Sequence, residues 1–223
     1  MCPGTGLEES LVARAVAAEH PSRVRWSAGL HPHEASAWPE VEARIAALAT
    51  EAHAIGECGL DYYRNLSPPD AQRIAFAAQL QLAATLDKPA IIHCRDAFAD
   101  VYDAVAAAGL GANAVLHCWT GGPKWTKRFA ELGVTFSFAG PVAFPTGDTV
   151  RRAAAVAPQE RTMIETDTPF LTPPPHRDAG KDNEPAFVPL VGATLAEVWG
   201  IDVAEVARLT SATAGRVFGA PPA

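Results

Sequence analysis

Six short runs of apolar and β-branched residues alternate along the chain with longer stretches of helix-forming residues, and this rhythm constrains the fold more than any other feature. The runs are Val24–Leu30, Ala54–Glu57, Pro89–His93, Ala114–His117, Val134–Phe138 and Thr162–Glu165. Each is short enough for a strand and nearly continuous in apolar residues, as strands covered on both faces of a parallel sheet are. The intervening stretches, Leu7–Glu19, Val41–Ala52, Ala71–Leu86, Ala97–Ala108, Lys124–Leu132 and Val150–Ala155, are rich in Ala, Leu, Glu, Gln and Arg, side chains that lose little rotamer freedom in a helix. Repeated βα units of this kind predict an α/β fold with a parallel sheet. The 223 residues fall inside the roughly 200–250 that one α/β barrel can occupy, so a single domain over 1–223 is expected.

Local punctuation agrees with the rhythm. Asp70 and Asp96 precede helical runs as candidate N-caps, and Gly109 and Gly133 follow two of them as stops. Residues 168–184, with Pro173-Pro174-Pro175, exclude regular helix or ladder pairing and predict a long loop on the active side. Two further helices are expected after it. One opens at Pro185, the other at Asp202 with Glu205 three residues on, a capping-box-like pair.

Charge and cysteine usage narrow the function. With 18 basic and 25 acidic side chains the formal charge is −7, which argues against a broad basic surface gripping duplex nucleic acid by counterion release, although a small local phosphate site is compatible with it. No run approaches the roughly 18 apolar residues that span a bilayer, and the N-terminus lacks a basic segment leading into an apolar one, so a cytoplasmic protein with no membrane contact is expected. Cys2, Cys58, Cys94 and Cys118 are widely spaced without a CxxC pair, which suits free thiols better than a disulfide framework or a zinc knuckle.

The candidate chemistry lies where the apolar runs end. Ala54-Ile55-Gly56 leads into Glu57, Ala90-Ile91-Ile92 into His93, Ala114-Val115-Leu116 into His117, and Met163-Ile164-Glu165-Thr166-Asp167 repeats the arrangement. In a parallel barrel all strand C-termini emerge at one face, so these residues are expected to converge although distant in sequence. One such histidine alone would as readily satisfy a buried carbonyl. Several unpaired polar side chains at one mouth are costly to bury without a cation or a dense hydrogen-bond network, and imidazole with carboxylate suits Zn, Mn, Fe or Co, while the carboxylates also suit Mg. Cys58, Cys94 and Cys118 each follow a candidate directly, so strand alternation sends them toward the helices and into packing. Trp119, Trp125, Phe138 and Phe144 are likewise expected to pack rather than stack on bases.

Six segments in this order, Gly29-Leu30-His31-Pro32-His33, Gly56-Glu57-Cys58-Gly59-Leu60-Asp61-Tyr62, His93-Cys94-Arg95-Asp96, His117-Cys118-Trp119-Thr120-Gly121, Glu165-Thr166-Asp167-Thr168-Pro169 and Asn183-Glu184-Pro185, resemble the TatD family of metal-dependent deoxyribonucleases, within the amidohydrolase-like TIM barrels. The resemblance runs from about Cys2 to Gly219. It implies that Glu57, His93, His117 and Asp167 are ligands of one or two divalent ions, with Glu57 bridging when two are bound. Mg2+ is the favoured ion, and Mn2+ or Zn2+ is compatible. The resemblance also places His31 in the site, in substrate or phosphate contact, and His33 with it.

Many family members carry an HxH pair on a first strand, and this chain has none. It opens at what looks like the end of the second strand, Cys2-Pro3-Gly4-Thr5, so the expected barrel is incomplete, with seven or fewer strands and extra C-terminal helices. A branch of the family lacks those histidines, which leaves the ligand set intact. A missing strand would leave unpaired edges, and a reading frame that starts upstream of Met1 is the expectation that follows. The expected activity is hydrolysis of DNA phosphodiesters, 3′→5′ on single-stranded or nicked strands, by a metal-activated water with Glu57 and Asp167 catalytic and His31, His33 and Arg95 contacting substrate. Arg95 fits a phosphate bidentately, or else pairs with Asp96. No obligate protein partner is implied. The alternatives are another hydrolase of the superfamily acting on a small ester or amide, and a truncated, inactive metal-binding chain.

Overall fold

The computed structural model describes residues 1–219. Their packing forms two compact units, the first Met1–Val115 with the described residues from Gly215 onward, the second Leu116–Ala214. Six strands are present among the described residues, and their order in the sheet is their order in the sequence.

In the first unit β1 (Ser27–Ala28), β2 (Ala54–Asp61) and β3 (Ala90–Arg95) run parallel, with Ser27 opposite Ala54 and Asp61 opposite Arg95. Four helices accompany them, α1 (Leu7–Glu19), α2 (Trp38–Glu51), α3 (Pro69–Leu86) and α4 (Phe98–Ala108). Their apolar faces are legible in the core: Ala13, Ala17, Trp26, Ala28, Leu48 and Ala52 form one buried cluster. Leu30, Ala35, Trp38, Ile45 and Ala75 form another. The ladder expected over Val24–Leu30 contracts to Ser27–Ala28, and Cys2 pairs with Trp26 as an isolated parallel bridge just ahead of it. Conversely β2 runs on past Glu57 to Asp61, all of it buried. Glycine permits this. A Cβ at Gly59, where φ is +137°, would lie 2.0 Å from the carbonyl oxygen of His93, so only glycine lets the two backbones come this close.

The C-terminal carbonyls of α2 are satisfied by an unexpected donor. Lys88 Nζ donates to the carbonyl oxygens of Ala49, Thr50 and Ala52 at 2.7, 2.8 and 2.6 Å, supplying the hydrogen bonds that a helix end otherwise lacks. Neither proposed N-cap holds: Asp70 lies inside the first turn of α3, whose cap is Pro68, and Ala97 rather than Asp96 caps α4. Gly109 does end α4, in the left-handed conformation.

Between the units' sequences β4 (Ala114–Leu116) is short and buried. The second unit contains β5 (Thr135–Phe138) and β6 (Thr162–Ile164), parallel, with Phe136 opposite Thr162. It also holds α5 (Pro123–Glu131), α6 (Asp148–Val156), α7 (Val188–Trp199) and most of α8 (Val203–Phe218). The helix expected at Pro185 begins as a 3-10 turn, Pro185–Phe187, that leads into α7. Residues 168–184 form turns and no regular helix or ladder, as their prolines require. Buried Asn183 staples this loop: its Nδ2 donates to the carbonyl oxygens of Thr166 at 2.6 Å and Phe170 at 2.7 Å. No single helix among the described residues is long and apolar enough to cross a membrane.

Candidate metal centre

In the first unit, His31 just after β1, Glu57 within β2 and His93 within β3 come together, each offering one donor atom within 4.8 Å of the others. Glu57 Oε1 lies 3.2 Å from His31 Nε2 and 3.3 Å from His93 Nδ1. The placement of each residue has a local cause. His31 caps the 3-10 turn Pro32–Ala37, and its Nδ1 accepts from the backbone N–H of His33 at 3.2 Å. Glu57 sits between Gly56 and Gly59, both at positive φ, in the stretch where the β2–β3 register shifts. A bulge of this kind re-aims a side chain.

Asp61 was legible only as part of a motif, and it organises the cluster. It is almost fully buried. Its Oδ2 lies 2.9 Å from His33 Nε2 and 3.2 Å from His93 Nε2, and its Oδ1 accepts from the N–H groups of Tyr63 and Arg64. Burial alone would raise this carboxyl, but the hydrogen bonds from His93, Arg64 and His33 outweigh it and hold it well below the usual carboxylate range. An ionised Asp61 only accepts, so a neutral His93 ring would carry its proton on Nε2 and turn its Nδ1 lone pair toward Glu57. A lone pair facing a carboxylate oxygen at 3.3 Å is an arrangement that a cation completes, and a ligand imidazole backed by a carboxylate is a recurrent way of orienting one. The donor set therefore fits a divalent ion. For His31, burial pushes the imidazole pKa down, against the opposing pull of Glu57.

Two glutamines invisible to motif reading fix the frame. Gln79 and Gln72 stand seven residues apart on the buried face of α3, both fully buried. Gln79 accepts from Leu30 N and donates to Leu30 O, at 2.8 and 3.1 Å, which sets the backbone just before His31. Gln72 does the same for Asp61, at 2.8 and 3.2 Å. Polar residues at helical spacing on an otherwise apolar face were the available signal.

The second unit brings His117, Glu165 and Asp167 to strand exits as well. His117 follows β4, and its Nδ1 lies 3.5 Å from Glu165 Oε2, while Cys118 N donates to Glu165 Oε1 at 2.7 Å. Burial pushes Glu165 up, and His117 together with its hydrogen bonds pulls it further down, leaving a carboxylate. Asp167 adopts the left-handed conformation, φ 61°, and the Asn183 bond to the preceding Thr166 carbonyl holds the backbone beside it. Cys58 and Cys94 are free and buried, and burial pushes both thiols up. Cys118 is only half-buried, because it lies beyond β4 with φ 42° and strand alternation does not govern it. Trp119 is buried, its Nε1 donates to Thr126 Oγ1 and its ring packs on Phe129, while Phe138 is fully buried. Trp125 packs on Phe129 and under Arg128, and Phe144 lies under Arg177.

The family model described as TatD related DNase matches residues 1–219. The chain belongs to the TatD family. Among curated TatD proteins, the 3′-5′ ssDNA/RNA exonuclease TatD of Rahnella sp. is 39% identical, the match covering 96% of this chain and 84% of that protein. The protein of the same name from Cronobacter sakazakii is 41% identical over 96% of this chain and 84% of its own length. The solved TatD homologue YJJV of Escherichia coli K12 superposes with a TM-score of 0.89 at 25% identity, covering 98% of this chain and 85% of that one. A TatD family hydrolase from Entamoeba histolytica, 17% identical, gives a TM-score of 0.85 over 98% of this chain and 83% of its own, which speaks for the fold. The TatD fold of this chain is thus the expected parallel α/β barrel type, with six strands among the described residues.

Proposed function

We propose that this TatD-family chain is a divalent-metal-dependent nuclease that removes nucleotides from the 3′ end of single-stranded DNA, the two units acting as one hydrolase domain over 1–223. The observation that carries the reading is the His31–Glu57–His93 cluster, with its donor atoms within 4.8 Å, in a chain about 40% identical to curated 3′-5′ ssDNA/RNA exonucleases. Glu57 and His93 would hold the ion or ions, and His117 and Asp167 are proposed as further ligands on the family resemblance. Mg2+ is the proposed ion, and the protein is proposed to be cytoplasmic.

When bound, the ion supplies positive charge against the phosphodiester and brings the pKa of water toward about 7. The chain's own residues do the rest. Asp61 keeps the His93 proton on Nε2 so that Nδ1 faces inward, and Glu57 supplies the negative charge that retains the cation. His31 and Arg95 contact the phosphate, a guanidinium doing so bidentately. Asp167 accepts the proton of the attacking water as general base.

Asp167→Asn keeps the shape and removes the base. On 3′-labelled single-stranded DNA with Mg2+ or Mn2+, turnover of this variant is expected to fall by at least about 100-fold while the thermal midpoint stays within a few degrees of wild type. Undiminished turnover would remove Asp167 from the mechanism. Hydrolysis of ester or amide substrates alone, with no chelator-sensitive nucleotide release, would replace the nuclease reading by a small-molecule hydrolase.

A further inference from the structure

Two residues beyond Asp61 and two beyond His93, the exits of β2 and β3 present a pairing that the proposed chemistry leaves unexplained. The Arg95 guanidinium lies over the Tyr63 ring, 4.0 Å from its centroid. Tyr63 is 63% exposed, so the ring face away from Arg95 meets solvent. Among the described residues the Arg95 side chain has neither a hydrogen-bond nor an ion-pair partner, and neighbouring Asp96 does not engage it. A half-buried guanidinium normally finds a carboxylate, and this one keeps all its N–H edges available beside a candidate phosphate-cleaving centre.

The pair is held in place from below. Tyr63 N donates to Asp61 Oδ1 at 3.0 Å, and Tyr62 N donates to Arg95 O at 2.9 Å. The carboxylate that orients His33 and His93 therefore also anchors the backbone carrying Tyr63, so the ring's position is tied to that of the candidate centre.

We propose that Tyr63 and Arg95 form a stacking clamp for the nucleobase beside the scissile phosphodiester of a single-stranded nucleic acid. The base lies on the open face of Tyr63, Arg95 stiffens the ring from the other face, and the guanidinium edge takes a phosphate oxygen. Stacking accepts every base because every base has a π-face, which suits an enzyme that degrades a strand without reading it. The proposal rests on the exonuclease reading above and names its substrate contact.

The test compares single-stranded oligodeoxynucleotides that differ only at the 3′-terminal residues, one with bases and one abasic. Wild type is expected to prefer the base-bearing strand in kcat/KM, and Tyr63→Ala is expected to cut that preference about tenfold, with Tyr63→Trp restoring it. A preference unchanged in Tyr63→Ala overturns the clamp and leaves the nuclease reading standing. A second arm needs no cleavage. With EDTA present, binding of a strand ending in 2-aminopurine should quench its fluorescence in wild type and not in Tyr63→Ala, and equal quenching, or none in wild type, overturns the clamp. Should wild type cut neither strand with any divalent ion, the nuclease reading falls and the quenching arm alone decides the stacking.

Discussion

Glu57→Gln should abolish metal-dependent hydrolysis, lowering turnover by at least about 1,000-fold, and weaken divalent-ion binding measured by calorimetry by at least about tenfold. The side chain keeps its size and loses its charge. In the wild-type protein one carboxylate oxygen faces His31 Nε2 at 3.2 Å and His93 Nδ1 at 3.3 Å, so the same atom balances the charge of anything held between the rings. An amide there brings a half-strength acceptor and a donor that competes with a cation for the His93 lone pair. Folding in EDTA should not suffer, because replacing a buried carboxylate by an amide removes a desolvated charge. A variant that binds Mn2+ as wild type does would show that the ion, if any, sits elsewhere.

Gly59→Ala should unfold the protein or cost it roughly 3–5 kcal/mol in urea denaturation, among the larger losses a single methyl group causes. The methyl would lie 2.0 Å from the His93 carbonyl oxygen at a residue whose φ is +137°, and both obstacles are backbone, which has no rotamer to escape into. Relief requires β2 and β3 to part, which moves Glu57 away from His93. Gly109→Ala supplies the contrast, since its φ is +65° and nothing lies within 4 Å of the added carbon. It should cost only about 1 kcal/mol, the left-handed penalty alone. Equal losses at the two positions would show that close strand approach is not what demands glycine at 59.

Much of this was readable from the sequence for physical reasons. Apolar runs buried on both faces identify themselves, and each of the six overlaps a strand, from the eight-residue Ala54–Asp61 down to Ser27–Ala28. Ligand types at run ends brought Glu57 and His93 forward, and the two lie 3.3 Å apart. What escaped was set by tertiary geometry. Asp61 lay past the expected end of its strand because the glycines that prolong β2 also break its apolar pattern. Glu165, two residues before Asp167, received no role from the sequence, and its Oε2 lies 3.5 Å from His117 Nδ1. Gln72 and Gln79 act through backbone groups 11 and 49 residues away in sequence, a pairing that no local pattern encodes. The N-caps at Asp70 and Asp96 failed because the cap of α3 is Pro68, two residues before Asp70, and that of α4 is Ala97, one residue after Asp96.

Crystals grown with Mn2+, with anomalous diffraction recorded at the manganese edge, test the central claim directly. The account predicts a peak at about 2.0–2.3 Å from a Glu57 oxygen and from His93 Nδ1. A peak that leaves Glu57 and His93 untouched, or no peak at all at saturating Mn2+, would contradict it.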